Sequence, residues 1–264
     1  METKSFITRK AHIPTGWEVE ERLIEQIAAT QNVSEANDWH QWYLKQYRKQ
    51  ANYSELLGEM VKTSTERVRL MQKFFEPTTE EKDLGWKLPT KAHKAIANLI
   101  KEGYVKVVIT TNFDRLLENA LEEIGVHPQI IKNESDWETA TPIIHSKEPT
   151  IIKVNGDYLD CQFRNTTEEL DDYPQILEEH LHGIFADFGL VTCGWSAKWD
   201  KGLIDIITGS LQSRYTSFFA EVGRFSEELQ NLSASRDGEL VKIVGADEMF
   251  TSLLEQVQAL EKVN

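Results

Sequence analysis

The sequence predicts an α/β protein built on a doubly wound, mainly parallel sheet, with a helical part ahead of it or inserted into it. Three observations carry that expectation. Short β-branched runs alternate with helical segments from about residue 104 onward. Those runs are almost continuously apolar, as strands covered on both faces are. The first hundred residues instead show apolar positions three and four apart, the period of helices.

Taken in order, a strand is expected near Ser5 to Ile7, and helices over 18–29 (EVEERLIEQIAA), 39–50 (WHQWYLKQYRKQ) and 53–75 (YSELLGEMVKTSTERVRLMQKFF). The stretch 76–90 breaks the pattern with two prolines and a glycine, and Thr90 leads into a helix over 91–102 that Gly103 closes. Then strands and helices alternate: VKVVITT (105–111) and DRLLENALEEIG; TIIKVN (150–155) and a long helix within 168–189; LVTCGW (190–195) and KGLIDIITGSLQS; TSFFAE (216–221) and EELQNLSASRDG; VKIVGA (241–246) and SLLEQVQALEKV. With no internal repeat and no low-complexity linker, residues 1–264 read as a single domain, mainly helical over about 17–100 and alternating over 104–264.

At 264 residues the chain can bury a full core, and 40% apolar residues with seven Trp and eleven Phe describe a globular protein. A formal net charge of −14 argues against binding nucleic acid or an anionic membrane through bulk charge. No segment has the roughly 18 continuous apolar residues of a membrane helix, and the first residues lack a signal-peptide pattern, so a cytoplasmic location is expected. The two cysteines, Cys161 and Cys193, form no C-x-x-C pair, so the chain alone does not supply a four-cysteine zinc site. Cys193, in an apolar run, reads as a core residue. Core is also the expected place for most of Trp17, Trp39, Trp42 and Trp86.

In an open α/β sheet ligands bind beyond the carboxyl ends of the strands. Four such ends carry small or hydrogen-bonding residues: Asn112 and Asp114 after the first run, Asn155, Gly156 and Asp157 after the second, Gly194, Trp195, Ser196 and Asp200 after the third, and Gly245, Ala246 and Asp247 after the last. Singly, each has a plainer reading. Thr111 or Asn112 caps a helix, with Asp114 favouring its positive end; Asn-Gly-Asp forms a turn; Ser196 caps the next helix; Gly-Ala-Asp turns from strand to helix. Their coincidence at four strand ends is what points to one shared nucleotide site.

The blocks ITTNFDRLLENAL (109–121), IIKVNGDYLD (151–160), LVTCGWSAKWD (190–200) and VKIVGADEMF (241–250) resemble the sirtuin-like NAD-hydrolysing family of bacterial defence proteins. AHIPTGWEV (11–19) resembles the segment that follows that family's phosphate loop. The resemblance implies a Rossmann-like domain, NAD as ligand or substrate without zinc, cleavage of the nicotinamide glycosidic bond, and a homo-oligomer or a defence-system partner. It places Asn112 at the nicotinamide ribose and its attacking water, and Asp114 at the nicotinamide amide. Gly194, Trp195 and Ser196 fall on the adenine-side ribose, and Ala246 and Asp247 at the adenine end.

Two departures stand out. Where the family has a strand and Gly-Ala-Gly, this chain offers METKSFITRK, whose Arg9 and Lys10 supply charge without the glycine-loop geometry; either a true start lies upstream or the phosphate grip is reduced. The family's catalytic histidine is Asn155 here, and an amide does not take up a proton near neutral pH. His12 and His93 are the remaining histidines near the expected pocket, both with packing or solvent exposure as the plainer reading. The expected function is therefore NAD binding with weak or lost glycohydrolysis; the alternative is a non-catalytic sensor or interaction module.

Overall fold

In the computed structural model, residues 11–164, 167–210 and 214–263 are described. The strand expected near Ser5, together with Arg9 and Lys10, lies outside them.

The helical part contains α1 (Gly16–Thr30), α2 (Trp39–Tyr47), α3 (Tyr53–Met60), α4 (Ser64–Phe75), α5 (Thr79–Asp83) and α6 (Lys91–Lys101). Local chemistry sets their ends. Thr15 caps α1 in a reciprocal box with Glu18, and the same Thr-x-x-Glu device starts α4 at Thr63 with Glu66. That second box divides the helix expected over 53–75 in two, because Val61 is extended and Thr63 begins a new helix. The stretch expected to be irregular holds α5, which Thr78 starts in the same way.

The alternating part follows as β1 (Val107–Thr110), α7 (Leu116–Glu123), β2 (Gln129–Ile131), α8 (Glu134–Thr139), β3 (Thr150–Lys153), β4 (Gly156–Asp157), β5 (Gln162–Phe163), α9 (Thr167–Asp171), α10 (Gln175–Asp187), β6 (Val191–Cys193), α11 (Lys201–Gly209), β7 (Phe218–Glu221), α12 (Glu227–Ser235), β8 (Glu239–Lys242) and α13 (Ala246–Glu261). The expected α/β class with parallel strands holds. Among the described residues the strands form two three-stranded parallel sheets, in the orders β1-β3-β2 and β6-β7-β8, and a short antiparallel ribbon of β4 and β5. The helix expected within 168–189 is broken at Tyr173 and Pro174 into α9 and α10.

Three clusters divide the core, the third and smallest being Ala97 and Ile100 of α6 with Ala120 and Leu121 of α7 and Ile151 of β3. Leu23, Ile24, Leu56, Leu57, Met71 and Phe75 of the helical part pack with Leu116 of α7 and with Tyr158 and Phe163 of the ribbon. Ile131, Ile152, Leu177, Leu203, Phe219 and Leu229 join the two sheets to α10, α11 and α12. Helices α6 and α13 lie side by side. The tryptophan expectation needs correction: Trp39 and Trp42 pack on the first cluster, but Trp17 is 46% exposed and Trp86 37% exposed. Each of the exposed pair covers a histidine ring instead, Trp17 stacking on His40 at 3.5 Å and Trp86 on His12 at 4.7 Å. Cys193 is half-buried, and both burial and the neighbouring Glu221 push its thiol up to about 12.

Candidate functional site

The loop after β1 is held from beneath by a buried lysine. Lys153, the last residue of β3, is 1% exposed. Its ammonium donates to the carbonyls of Phe113 at 3.2 Å and Asp114 at 2.5 Å, and pairs with Glu118 at 3.2 Å and Asp157 at 2.9 Å. Arg115 approaches the same Asp157 oxygen at 3.5 Å. Burial raises the Glu118 carboxyl above the usual range, and the Lys153 charge opposes that rise. The carbonyls of the residues following Asn112 are thus pinned to β3.

Within that loop neither plain capping reading applies to Asn112. The backbone N–H of Asn112 donates to Thr110 Oγ1 at 3.1 Å. The residue at the start of α7 is Arg115, and Asp114 Oδ1 accepts the Leu116 N–H at 3.0 Å. Asp114 thus serves the first turn of the helix, while the side-chain amide of Asn112, half-buried, makes no hydrogen bond among the described residues.

Asn155 stands at the centre of a second network and is itself buried. Its amide N–H donates to the Thr111 carbonyl at 3.4 Å and to the Asp200 carboxylate, and its oxygen accepts the Tyr173 hydroxyl at 3.0 Å. Asp200 also accepts the Trp195 indole N–H at 2.7 Å. Burial raises the Asp200 carboxyl, with the bonds from Trp195 and Asn155 opposing the rise. Three strand ends, those of β1, β3 and β6, meet through this one amide. The following Gly156 is required: φ is +98° and a Cβ there would fall 2.0 Å from the Gln162 carbonyl oxygen.

The loop after β6 bends at Gly194 (φ 71°) and again at Ala197 (φ 61°), a left-handed position for a residue with a side chain. Ser196 does not cap α11; Asp200 occupies that place. The Ser196 carbonyl instead accepts the Ser226 hydroxyl at 2.5 Å, tying the loop to the start of α12.

Asp247 and Ala246 begin α13, with Ala246 buried. Asp247 Oδ1 accepts the Ala92 N–H at 2.8 Å, so its carboxylate serves the positive end of α6. His93, one residue further, is buried and accepts the Thr90 N–H on Nδ1 at 3.2 Å. Burial lowers its pKa, while the carboxylates of Asp114 and Asp247 pull it upward. The fourth strand end therefore reaches the first through His93. His12, exposed against Trp86, joins neither network.

Sequence reasoning missed Tyr173, Lys153 and the linking role of His93. A tyrosine before a proline between two helical segments, and a lysine closing an apolar strand, were the available signals. It also missed a cleft of about 530 Å³ beyond β2, lined by Ser54, Lys132, Glu134, Arg164, Glu169 and Pro174. Arg164 separates that cleft from the Asn155 network: its N–H donates to the Asn155 carbonyl at 3.0 Å, and its guanidinium lies 6.0 Å over the Tyr173 ring.

No curated protein sequence matches the chain. A family model described as "SIR2-like domain" does, over residues 106–260, a span that contains all four strand ends. SIR2-like domains generally bind NAD. With parallel strands whose carboxyl ends converge on linked polar residues, and with that match over more than half its length, this chain belongs to the SIR2-like family.

Proposed function

We propose that the linked strand ends bind NAD or a closely related dinucleotide, and that glycohydrolysis of its nicotinamide bond is slow in this chain. The observation that carries the reading is the state of the Asn155 amide. Both its donor and acceptor sides are engaged, by Thr111, Asp200 and Tyr173. It orders the pocket and takes up no proton.

The reaction supported is water addition at the anomeric carbon of the nicotinamide ribose. The carbon–nitrogen bond breaks with its electron pair leaving on nicotinamide, and the products are nicotinamide, ADP-ribose and a proton. The uncommitted amide of Asn112 is suited to orient the ribose and the water. Asp114 lies on the same loop, facing the nicotinamide side in this reading. Asp200, held by the Trp195 indole, orients the Asn155 amide, and burial raises its carboxyl above the usual range. Gly194 and Ser196 line the adenine-side ribose with Trp195 behind them, and Ala246 with Asp247 closes the adenine end. General-base assistance is worth about 10²- to 10⁴-fold, so its absence leaves binding in place and turnover low.

A cellular role in anti-phage defence, and assembly as a homo-oligomer or with a defence partner, rest on the sequence resemblance. A cytoplasmic location rests on the sequence pattern; no helix among the described residues is long and apolar enough to cross a membrane. The test is a proton NMR time course of NAD with substoichiometric and then equimolar protein. Broadened nicotinamide resonances without release support the proposal. Rapid accumulation of free nicotinamide overturns the slow-turnover reading, and unchanged resonances favour an interaction module that does not engage the dinucleotide.

A further inference from the structure

The cleft beyond β2 stands apart from the strand-end network, and its volume of about 530 Å³ suits a small molecule. Three parts of the chain wall it: residues 132–135, which follow β2; the end of β5 with Arg164; and the turn from α9 to α10 with Asp172 and Pro174.

Its charges are only partly met from within. Lys132 pairs with Asp160 at 2.8 Å, and Glu169 accepts the Asn52 amide at 3.4 Å. Arg164 differs. Its Nη1 donates to the Val154 carbonyl at 3.3 Å, while among the described residues Nε and Nη2 meet no acceptor and the guanidinium forms no ion pair. Glu134 and Asp172, exposed in the same cleft, receive no donor among the described residues. A half-buried arginine and two carboxylates thus share one cleft without closing on one another. The guanidinium is nevertheless fixed in place. Its own bond to Val154, the bond from the Arg164 N–H to the Asn155 carbonyl at 3.0 Å, and its position 6.0 Å over the Tyr173 ring all hold it. Little ordering remains for a ligand to impose, and such preorganisation favours binding.

We propose that this cleft binds a free α-amino acid with a polar side chain, its carboxylate on Arg164 and its ammonium on Glu134 and Asp172. A planar guanidinium matches a carboxylate with two parallel hydrogen bonds. Ionised carboxylates accept hydrogen bonds and donate none, so an ammonium complements the other wall. A zwitterion also adds no net charge to a chain that already carries −14. A phosphate on Arg164 instead brings further negative charge beside Glu134, Glu169 and Asp172, which repel it. Ser54 and Gln162, on the same lining, offer a hydroxyl and an amide to a polar side chain. This site goes beyond the dinucleotide reading and does not depend on it.

The test is an NMR titration of the full chain with three probes: L-glutamine, glutaramate, which lacks the ammonium, and glutaminamide, which lacks the carboxylate. L-Glutamine is expected to bind saturably, and each analogue about ten- to a hundred-fold more weakly, the usual effect of losing a hydrogen bond to a charged group. Arg164→Gln should weaken L-glutamine by the same factor. Substituting the two exposed acids together, Glu134→Gln with Asp172→Asn, should bring L-glutamine and glutaramate to similar affinity. L-Glutamine that fails to saturate overturns the proposal, and so does glutaramate that binds wild type as tightly as L-glutamine does. A preference that survives the double substitution overturns the role of the two acids. NAD titrated separately reports on the strand ends, so the two readings fail independently.

Discussion

Asn155 occupies a position where hydrogen-bond arithmetic decides what a histidine can do. The amide donates to Thr111 and Asp200 and accepts from Tyr173. A neutral imidazole has one donor and one acceptor, so Asn155→His keeps the bonds to Asp200 and Tyr173 and gives up the longer one, to Thr111. A histidine donating to a carboxylate has the base-and-orienter pairing of general-base catalysis. Asn155→His is expected to raise nicotinamide release about 10²- to 10⁴-fold, at about 1 kcal/mol in stability, measured by the same NMR time course and by urea denaturation. Adding Asp200→Asn should remove most of the gain. His93 gives a second expectation at this scale. Its folded-state pKa is lowered, chiefly by burial, with Asp114 and Asp247 opposing. The folded protein therefore favours the neutral ring, and the unfolded chain binds the proton more readily. Stability from His93 is complete above its unfolded pKa, about 6.5, and is lost as pH falls through the folded value. Urea denaturation from pH 8 to pH 5 should show a shallower acid-side loss in His93→Gln. The raised carboxyls of Glu118 and Asp200 have the opposite slope and are common to both proteins, so the difference isolates His93.

Between elements, the joint of β1, α7 and β3 depends on buried charges. Lys153 neutralises Glu118 and Asp157 while pinning the backbone that follows Asn112. Removing one partner of a buried pair leaves the other uncompensated, typically at about 3–5 kcal/mol. Lys153→Met should lower stability by that order in urea titration at pH 7 and weaken NAD binding as the loop loses its anchor. The same joint shows where sequence reading works and where it stops. VKVVITT and TIIKV are long, apolar and β-branched, and they form β1 and β3. The segment QII between a proline and Lys132 is only three residues long, and β4 and β5 have two residues each, too short for any period to register. Their loss hid the cleft beyond β2. The Thr63-x-x-Glu66 box was readable as a helix start, but a continuous apolar period across 53–75 masked it. At the candidate site, strand ends identified Asn112, Asn155 and Trp195 because their place follows from topology. The place of Asp114 at the first turn of α7 is the plain reading the sequence offered, but the sequence did not reveal that Asp247 serves α6, since a carboxylate's partner depends on which helix end folding brings beside it.

Across the whole molecule, the matched family region and the helical part share one core. The family match begins at residue 106, yet Leu116, Tyr158 and Phe163 are buried against α1, α3 and α4. Aromatic contacts run through that boundary: Phe75 stacks on Tyr158 at 5.2 Å, Tyr53 meets Phe163 at 5.0 Å, and both Tyr53 and Phe163 contact Phe113, at 5.6 and 4.8 Å. The Tyr158 hydroxyl donates to Glu76 at 2.7 Å across the same boundary. Phe113 lies between Asn112 and Asp114, so the helical part braces the loop on which the proposed chemistry depends. Such a face, uncovered, is a contiguous apolar patch of the kind that folded monomers avoid. A fragment of residues 104–264 is therefore expected to bind a hydrophobic dye, to melt without a sharp transition, and to lose NAD binding, whereas the full chain melts cooperatively. A fragment that melts sharply and still binds NAD would make the helical part a separable unit and would move the support of the Asn112 loop to Lys153 alone.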